Sequence, residues 1–240
     1  MSLKLALAGL AILLSAPAHA ALQIAFANSG GGSFFCQDQT ACDLDGAVKN
    51  LLLLNTTVGN IRIEGTFAAS STNPNELFAS NLTITNLGAS TETLTMAVGD
   101  TGFIAPVKSI RSSASATFNS DSGAAFDLHF FADHADAQPA ANAFDTPGVG
   151  LFNVNGVVAG NPDSASGTHV TPFVQLAGGY SMSEAAGLIV APGASITGFN
   201  ESMQAAAVPE PQTWLLGLIG FGLMAWLGRK ARTPRYALRG

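Results

Sequence analysis

The feature that most constrains this chain is a repeated alternation of apolar and hydroxyl-bearing residues at a period of two. Leu82 and Ile84 alternate with Thr83 and Thr85; Leu94, Met96 and Val98 with Thr93 and Thr95; Ala114, Ala116 and Phe118 with Ser113, Ser115 and Thr117. Successive side chains of an extended strand point to opposite faces, so each such run has one apolar face and one wet face. Between residues 21 and 207 no stretch sustains the 3.6-residue period of an amphipathic helix. The pattern predicts an all-β chain, an antiparallel β-sandwich of many short strands, with a barrel or jelly roll as the alternative. No repeat of fixed period appears, which argues against a propeller or solenoid.

Turn signals divide this region. Leu22–Ala27 reads as a first strand, ended by the glycines Gly30–Gly32 and followed by a loop holding Cys36 and Cys42. Val48–Val58 and Ile61–Ala68 read as a hairpin turning at Gly59-Asn60. The apolar run Leu51–Leu54 fits a strand covered on both faces or a buried turn. Asn86–Ser90 is expected to join the next two strands as a hairpin. Phe126, Leu128 and Phe130 form a further apolar face, and residues 132–147 read as a long loop. A hairpin turning at Asn155-Gly156 is expected within Leu151–Val158. Phe173–Ala177, Leu188–Val190 and Ser195–Ala205 complete the strands.

The two ends differ from this middle. Met1–Ala20 has Lys4, the apolar run Leu5–Leu14 and Ala18-His19-Ala20, the layout of a secretory signal peptide cleaved after Ala20. It implies the Sec translocon and signal peptidase as transient partners. At the other end, Val208-Pro209-Glu210-Pro211 precedes the apolar run Thr213–Gly228, which stops at Arg229, Lys230 and Arg232. As a helix that run is about 24 Å long, a marginal match to a bilayer core of about 30 Å. Trp214 and Trp226 flank it as interfacial anchors do, and the basic cluster is a membrane stop that keeps the C-terminus in the cytoplasm. Pro209 and Pro211 keep the approach extended.

This combination, Val208 to Arg232, resembles the PEP-CTERM sorting signal of exported proteins of Gram-negative bacteria. The resemblance implies recognition at Pro209, Glu210 and Pro211 by an exosortase, a membrane-embedded cysteine transpeptidase. These are substrate residues, not catalytic ones. It also implies an inner-membrane-anchored precursor, delivery to the cell surface or extracellular matrix, and a link to exopolysaccharide and biofilm. The organisation expected is a signal peptide at 1–20, a β-sandwich passenger at 21–207, and a sorting signal at 208–240 with its transmembrane helix at 213–228.

Charge narrows the passenger's partners. It holds every acidic residue of the chain except Glu210, against only Lys49, Arg62, Lys108 and Arg111, in a chain of net charge −6. So acidic a surface is a poor match to a phosphate backbone, and nucleic acid is excluded as a partner. Cys36 and Cys42 are the only cysteines. In an exported chain an isolated pair at this spacing is expected to form a disulfide, a local staple.

Asp127, His129, Asp133, His134 and Asp136 mix carboxylates with imidazoles, a set that zinc or manganese accepts, but strand and loop positions facing solvent explain them better. Asp43-Leu44-Asp45-Gly46 resembles the start of a calcium loop without its remaining ligands. No nucleophile elbow, zinc-protease motif or phosphate-cradling glycine loop is present, and His169 has no evident catalytic partner. The reading is therefore an exported surface or matrix protein that is not an enzyme and needs no metal or cofactor. The alternatives are a secreted carbohydrate-binding module, for which the passenger offers only Tyr180 and no tryptophan, and a secreted hydrolase.

Overall fold

The computed structural model describes residues 21–71, 75–119, 124–157 and 161–208, together with Ile219, Phe221 and Met224. Among them twelve strands run up and down: β1 (Gln23–Asn28), β2 (Ser33–Gln37), β3 (Leu51–Val58), β4 (Ile61–Ser70), β5 (Glu76–Asn86), β6 (Glu92–Ile104), β7 (Val107–Asn119), β8 (Ala125–Asp133), β9 (Val149–Val157), β10 (Asp163–Gln175), β11 (Gly179–Val190) and β12 (Ser195–Ala207). They form two antiparallel six-stranded sheets. Sheet A has the order β2-β1-β6-β11-β8-β9 and sheet B the order β10-β7-β12-β5-β4-β3. The all-β antiparallel sandwich expected from the alternation is the architecture found. Ile219, Phe221 and Met224 have helical backbone. The signal peptide lies outside the described residues, as does the rest of the expected transmembrane helix at 213–228. Among the described residues no helix is long and apolar enough to cross a membrane.

Apolar residues of the two inner faces meet to form one core. Phe26 of β1 packs edge-on against Phe67 of β4, with ring centroids 6.5 Å apart. Phe118 of β7 stacks on Phe126 of β8 at 5.2 Å. These aromatic contacts cross between the sheets and fix their facing, beyond the area they bury. Ile61 and Ile63 are fully buried while Arg62 and Glu64 pair at 2.5 Å on the outer face. Gly59, at φ 61°, supplies the left-handed residue that the turn between β3 and β4 requires.

Four local expectations are corrected. The segment Asn86–Ser90 is not a hairpin turn: β5 belongs to sheet B and β6 to sheet A, so it crosses between sheets. Alternation reports which face of a strand is buried and says nothing of which strand lies beside it. Asn86 holds the crossing, its amide donating to the carbonyls of Ser90 (2.7 Å) and Val190 (2.9 Å) and its oxygen accepting from Gly88 N–H (2.8 Å).

Asn155-Gly156 is likewise not a turn but lies within β9, opposite Asp127 and Phe126. A Cβ on Gly156 would stand 2.9 Å from the Phe126 ring, so the glycine serves close packing rather than bending. Leu51–Leu54 is neither doubly covered nor a turn. β3 is an edge strand with Leu52 and Leu54 buried and Leu53 38% exposed. Finally, Cys36 lies on β2, paired through Ile24 of β1, rather than in a loop.

Residues 134–148 form the long loop anticipated between β8 and β9, but the loop is packed down. Ala140 and Ala143 are buried, and Pro139 sits where a side chain at Gly99 would be. This covers the outer face of sheet A around Gly99 and its partner Ser183.

Candidate functional site

Two places in the fold bear on function: the outer face of sheet B and the loop end from which the chain leaves β12.

The outer face of sheet B carries an open groove of about 650 Å³. Its walls are the wet sides of four adjacent strands: Phe78 and Ser80 of β5, Ser113 and Ser115 of β7, Ser166 and Thr168 of β10, and Asn200 and Ser202 of β12. The alternation of β7 puts these hydroxyls outside as expected. On β12 the phase is set by an irregularity. Pairing with both neighbours shifts around Gly198, which has φ 57°. Ile196 faces the core before the shift, and Phe199, Glu201 and Met203 face it afterwards. A bulge of this kind inserts a residue and re-aims the side chains beyond it. Asn200 and Ser202 are thereby turned into the groove. Asn200 is held by Asn81 N–H on its oxygen (3.0 Å) and by its own donation to the Gly198 carbonyl (2.6 Å). The Ser113 and Ser202 hydroxyls are 2.7 Å apart. The groove thus presents neutral donors and acceptors beside one aromatic ring, with Glu76 at its margin.

The same bulge turns a carboxylate inward. Glu201 meets the charge of Glu184 on β11 across the core, and both side chains are fully buried. Burial pushes the Glu201 carboxyl up to about 8. Burial, and then the neighbouring Glu201, raise Glu184 well above the usual range. None of their four carboxyl oxygens has a hydrogen-bond partner. Neither glutamate stands out as a candidate in the sequence analysis, although Glu201 shares the period-two phase of the apolar Phe199, Met203 and Ala205, whereas the stretch around Glu184 shows no clear alternation.

Of the residues singled out from sequence, Cys36 and Cys42 form a disulfide with Cα atoms 5.8 Å apart, which ties the end of β2 to the loop after it. Pro209, Glu210, Pro211, Arg229, Lys230 and Arg232 lie outside the described residues. The last backbone hydrogen bond before them is Val208 N–H to the Pro106 carbonyl, at 3.3 Å.

Asp127 and His129 pair with each other at 2.9 Å on the outer face of β8. The Asp133 carboxylate accepts the amides of Ala135 and Ala137, Asp136 accepts that of Gly102, and His134 stacks on Phe173 and meets Gln175. Of these five side chains Asp133 and Asp136 brace backbone and the other three are engaged with one another or with neighbouring side chains, and no metal-holding group of three appears among the described residues. Asp43 is buried and accepts the amides of Gln39, Asp45 and Leu53, so it braces its loop instead of opening toward a cation. His169 stacks on Phe152.

Residues 207–232 match the family model of the PEP-CTERM protein-sorting motif. No curated protein matches the chain. Among solved structures, the adhesin domain of Epf from Streptococcus pyogenes is similar at 9% identity and a TM-score of 0.32, over 78% of this chain and 60% of that one. The CBM22-1 xylan-binding domain from Paenibacillus barcinonensis Xyn10C is similar at 11% identity and 0.29, over 68% and 89%. The carbohydrate-binding module CBM6cm-2 from Cellvibrio mixtus lichenase 5A, in complex with cellotriose, is similar at 10% and 0.28, over 62% and 89%. TM-scores this low are no ground for assigning a ligand or activity to this chain.

Proposed function

We propose that this chain, which carries a PEP-CTERM protein-sorting motif at residues 207–232, is an exported β-sandwich that an exosortase processes at Pro209-Glu210-Pro211. The motif match is the observation that carries the reading. The apolar run Thr213–Gly228, closed by Arg229, Lys230 and Arg232, holds the precursor in the inner membrane, and the sandwich stands outside it. Removal of the tail sends the passenger to the cell surface or extracellular matrix, where its role is structural and tied to exopolysaccharide. The signal peptide Met1–Ala20 brings it there through the Sec translocon.

The test separates chemistry at the triplet from hydrophobic anchoring. Glu210→Ala, or Pro209→Ala with Pro211→Ala, leaves the apolar run and its basic stop intact, so a plain anchor is indifferent to them. The expected result is full-length precursor retained in the membrane fraction, read as precursor and mature sizes on immunoblots of fractionated cells. Equal processing of wild type and variants would remove the sorting reading.

A second reading, carbohydrate binding by the passenger, is favoured by the groove on sheet B. Hydroxyls, an amide and one ring suit a neutral polyhydroxylated chain, with Phe78 as the stacking surface. A glycan array, with Phe78→Ala and Asn200→Ala as controls, tests it: a hit that both substitutions abolish supports binding in the groove.

A further inference from the structure

We infer that the loop end of the sandwich from which β12 departs is a lipid-docking surface, seated on the bilayer while the tail is attached. The inference rests on the proposed reading of Thr213–Gly228 as a membrane segment. Its first support is chain length. Val208 is still hydrogen-bonded to Pro106, and Val208–Gln212, even fully extended, spans at most about 18 Å. The end of β12 is therefore tethered close to the membrane surface, and the opposite end of the sandwich is not.

The second support is how apolar exposure divides between the two ends. Because the strands alternate in direction, the connections β2–β3, β6–β7, β8–β9 and β10–β11 all gather at the departing end. Pairing confirms the grouping: Ala207 and Gln175 both lie opposite Val107, and Gly179 lies opposite Ile104. Leu44 (63% exposed), Ile104 (61%), Phe144 (73%), Val174 (57%) and Leu176 (71%) stand on or beside these connections. The opposite end exposes Leu87, Val157 and, to a lesser degree, Ile189 (37%) among its described large apolar side chains. Several large side chains held out to solvent at one end, beside a short membrane tether, are placed as interfacial side chains are. Charge argues against an electrostatic version. Asp45, Asp133, Asp136 and Asp145 share this end with Lys49 and Lys108, so contact is apolar and gains nothing from anionic lipid.

The test uses the full-length chain reconstituted in phosphatidylcholine vesicles carrying nitroxide-labelled lipid. A fluorophore is attached at Leu176→Cys, or at Leu87→Cys on the opposite end. Flotation with the vesicles reports the tail, and quenching reports the body. The expected result is flotation of both, severalfold stronger quenching at 176 than at 87, and no change with salt or added anionic lipid. Flotation with equal quenching would overturn the docking surface and leave the tail reading standing. Failure to float would overturn both. As a check independent of the 176 label, Val174→Asp with Leu176→Asp should lower quenching of a probe at Phe144→Cys without affecting flotation; unchanged quenching would count against the surface.

Discussion

Replacing Glu201 by glutamine should remove the part of this fold's alkaline loss of stability that Glu201 contributes, leaving the part due to Glu184. Glu201 is flanked in its sheet by Ala79 and Ala114, and Glu184 in its own by Val98 and Phe130. The cations among the described residues, Lys49, Arg62, Lys108 and Arg111, are all exposed, and none of them neutralises the pair. The folded protein therefore keeps these carboxyls protonated. Burial raises Glu201 from an ordinary 4.5 to about 8. The native state holds a proton that the unfolded chain releases, so this stability is fully present below the unfolded value. It is lost as pH rises toward the folded one. The span between the two values corresponds to about 5 kcal/mol, comparable with the whole stability of many domains. Urea unfolding of the chain in mild detergent, followed by far-ultraviolet circular dichroism, should give midpoints that fall steadily between about pH 5 and about pH 8. Glu201→Gln should match wild type within about 1 kcal/mol at the acid limit and exceed it increasingly toward the alkaline one. Parallel profiles for the two proteins would refute the argument that the pair is held neutral by burial.

Other substitutions probe the frame around that core. Asn86→Ala removes three hydrogen bonds at the crossing between sheets and orphans two carbonyls, and should cost about 3 kcal/mol in the same unfolding assay. Cys36→Ser with Cys42→Ser should cost about 2 kcal/mol, because the disulfide closes a short loop, and both wild-type thiols should resist alkylation before reduction. Gly148→Ala should cost about 3 kcal/mol, since φ is 95° and the new Cβ would enter the Ala132 carbonyl. Gly193→Ala, with φ 68° and open space around it, should cost only about 1 kcal/mol, read as a smaller drop in unfolding midpoint.

The strands legible in the sequence are those with one wet and one buried face. β4, β5, β7 and β8 announce themselves in Ile61–Glu64, Leu82–Thr85, Ser113–Phe118 and Phe126–Phe130. β10 is legible only at its last residues because it is an edge strand, and Ser164, Ser166 and Thr168 leave its apolar face to residues as small as Ala165 and Gly167. β11 is legible only at Leu188–Val190 for the opposite reason. It is central and covered, so Ser181 and Ser183 are buried on one face and Glu184 on the other, and no alternation survives. The groove is half legible. The hydroxyl face of β7 follows from its period, whereas on β12 the bulge at Gly198 breaks the phase, so a period carried forward from Ile196 puts Glu201 on the wet face and only the local phase of Phe199, Met203 and Ala205 puts it inside. The sorting motif is different in kind, because its meaning is carried by residue identity and order rather than by packing.

The position of the last strands has a consequence for how the chain matures. β11 lies between β6 and β8, and β12 lies between β7 and β5, so the final strands to be synthesised occupy the middle of both sheets. A chain emerging from its N-terminus can assemble β3–β4–β5 and β1–β2 locally, but these remain separate fragments with open flanks. Closure requires contacts between residues far apart in sequence, which makes it slow and places it last. Only Val208–Gln212 then separates the closing strand from the tail. On the proposed reading of Thr213–Gly228 as a membrane segment, completion of the sandwich and arrival of that segment are therefore nearly simultaneous events, and the two sheets stay open until the segment is close behind.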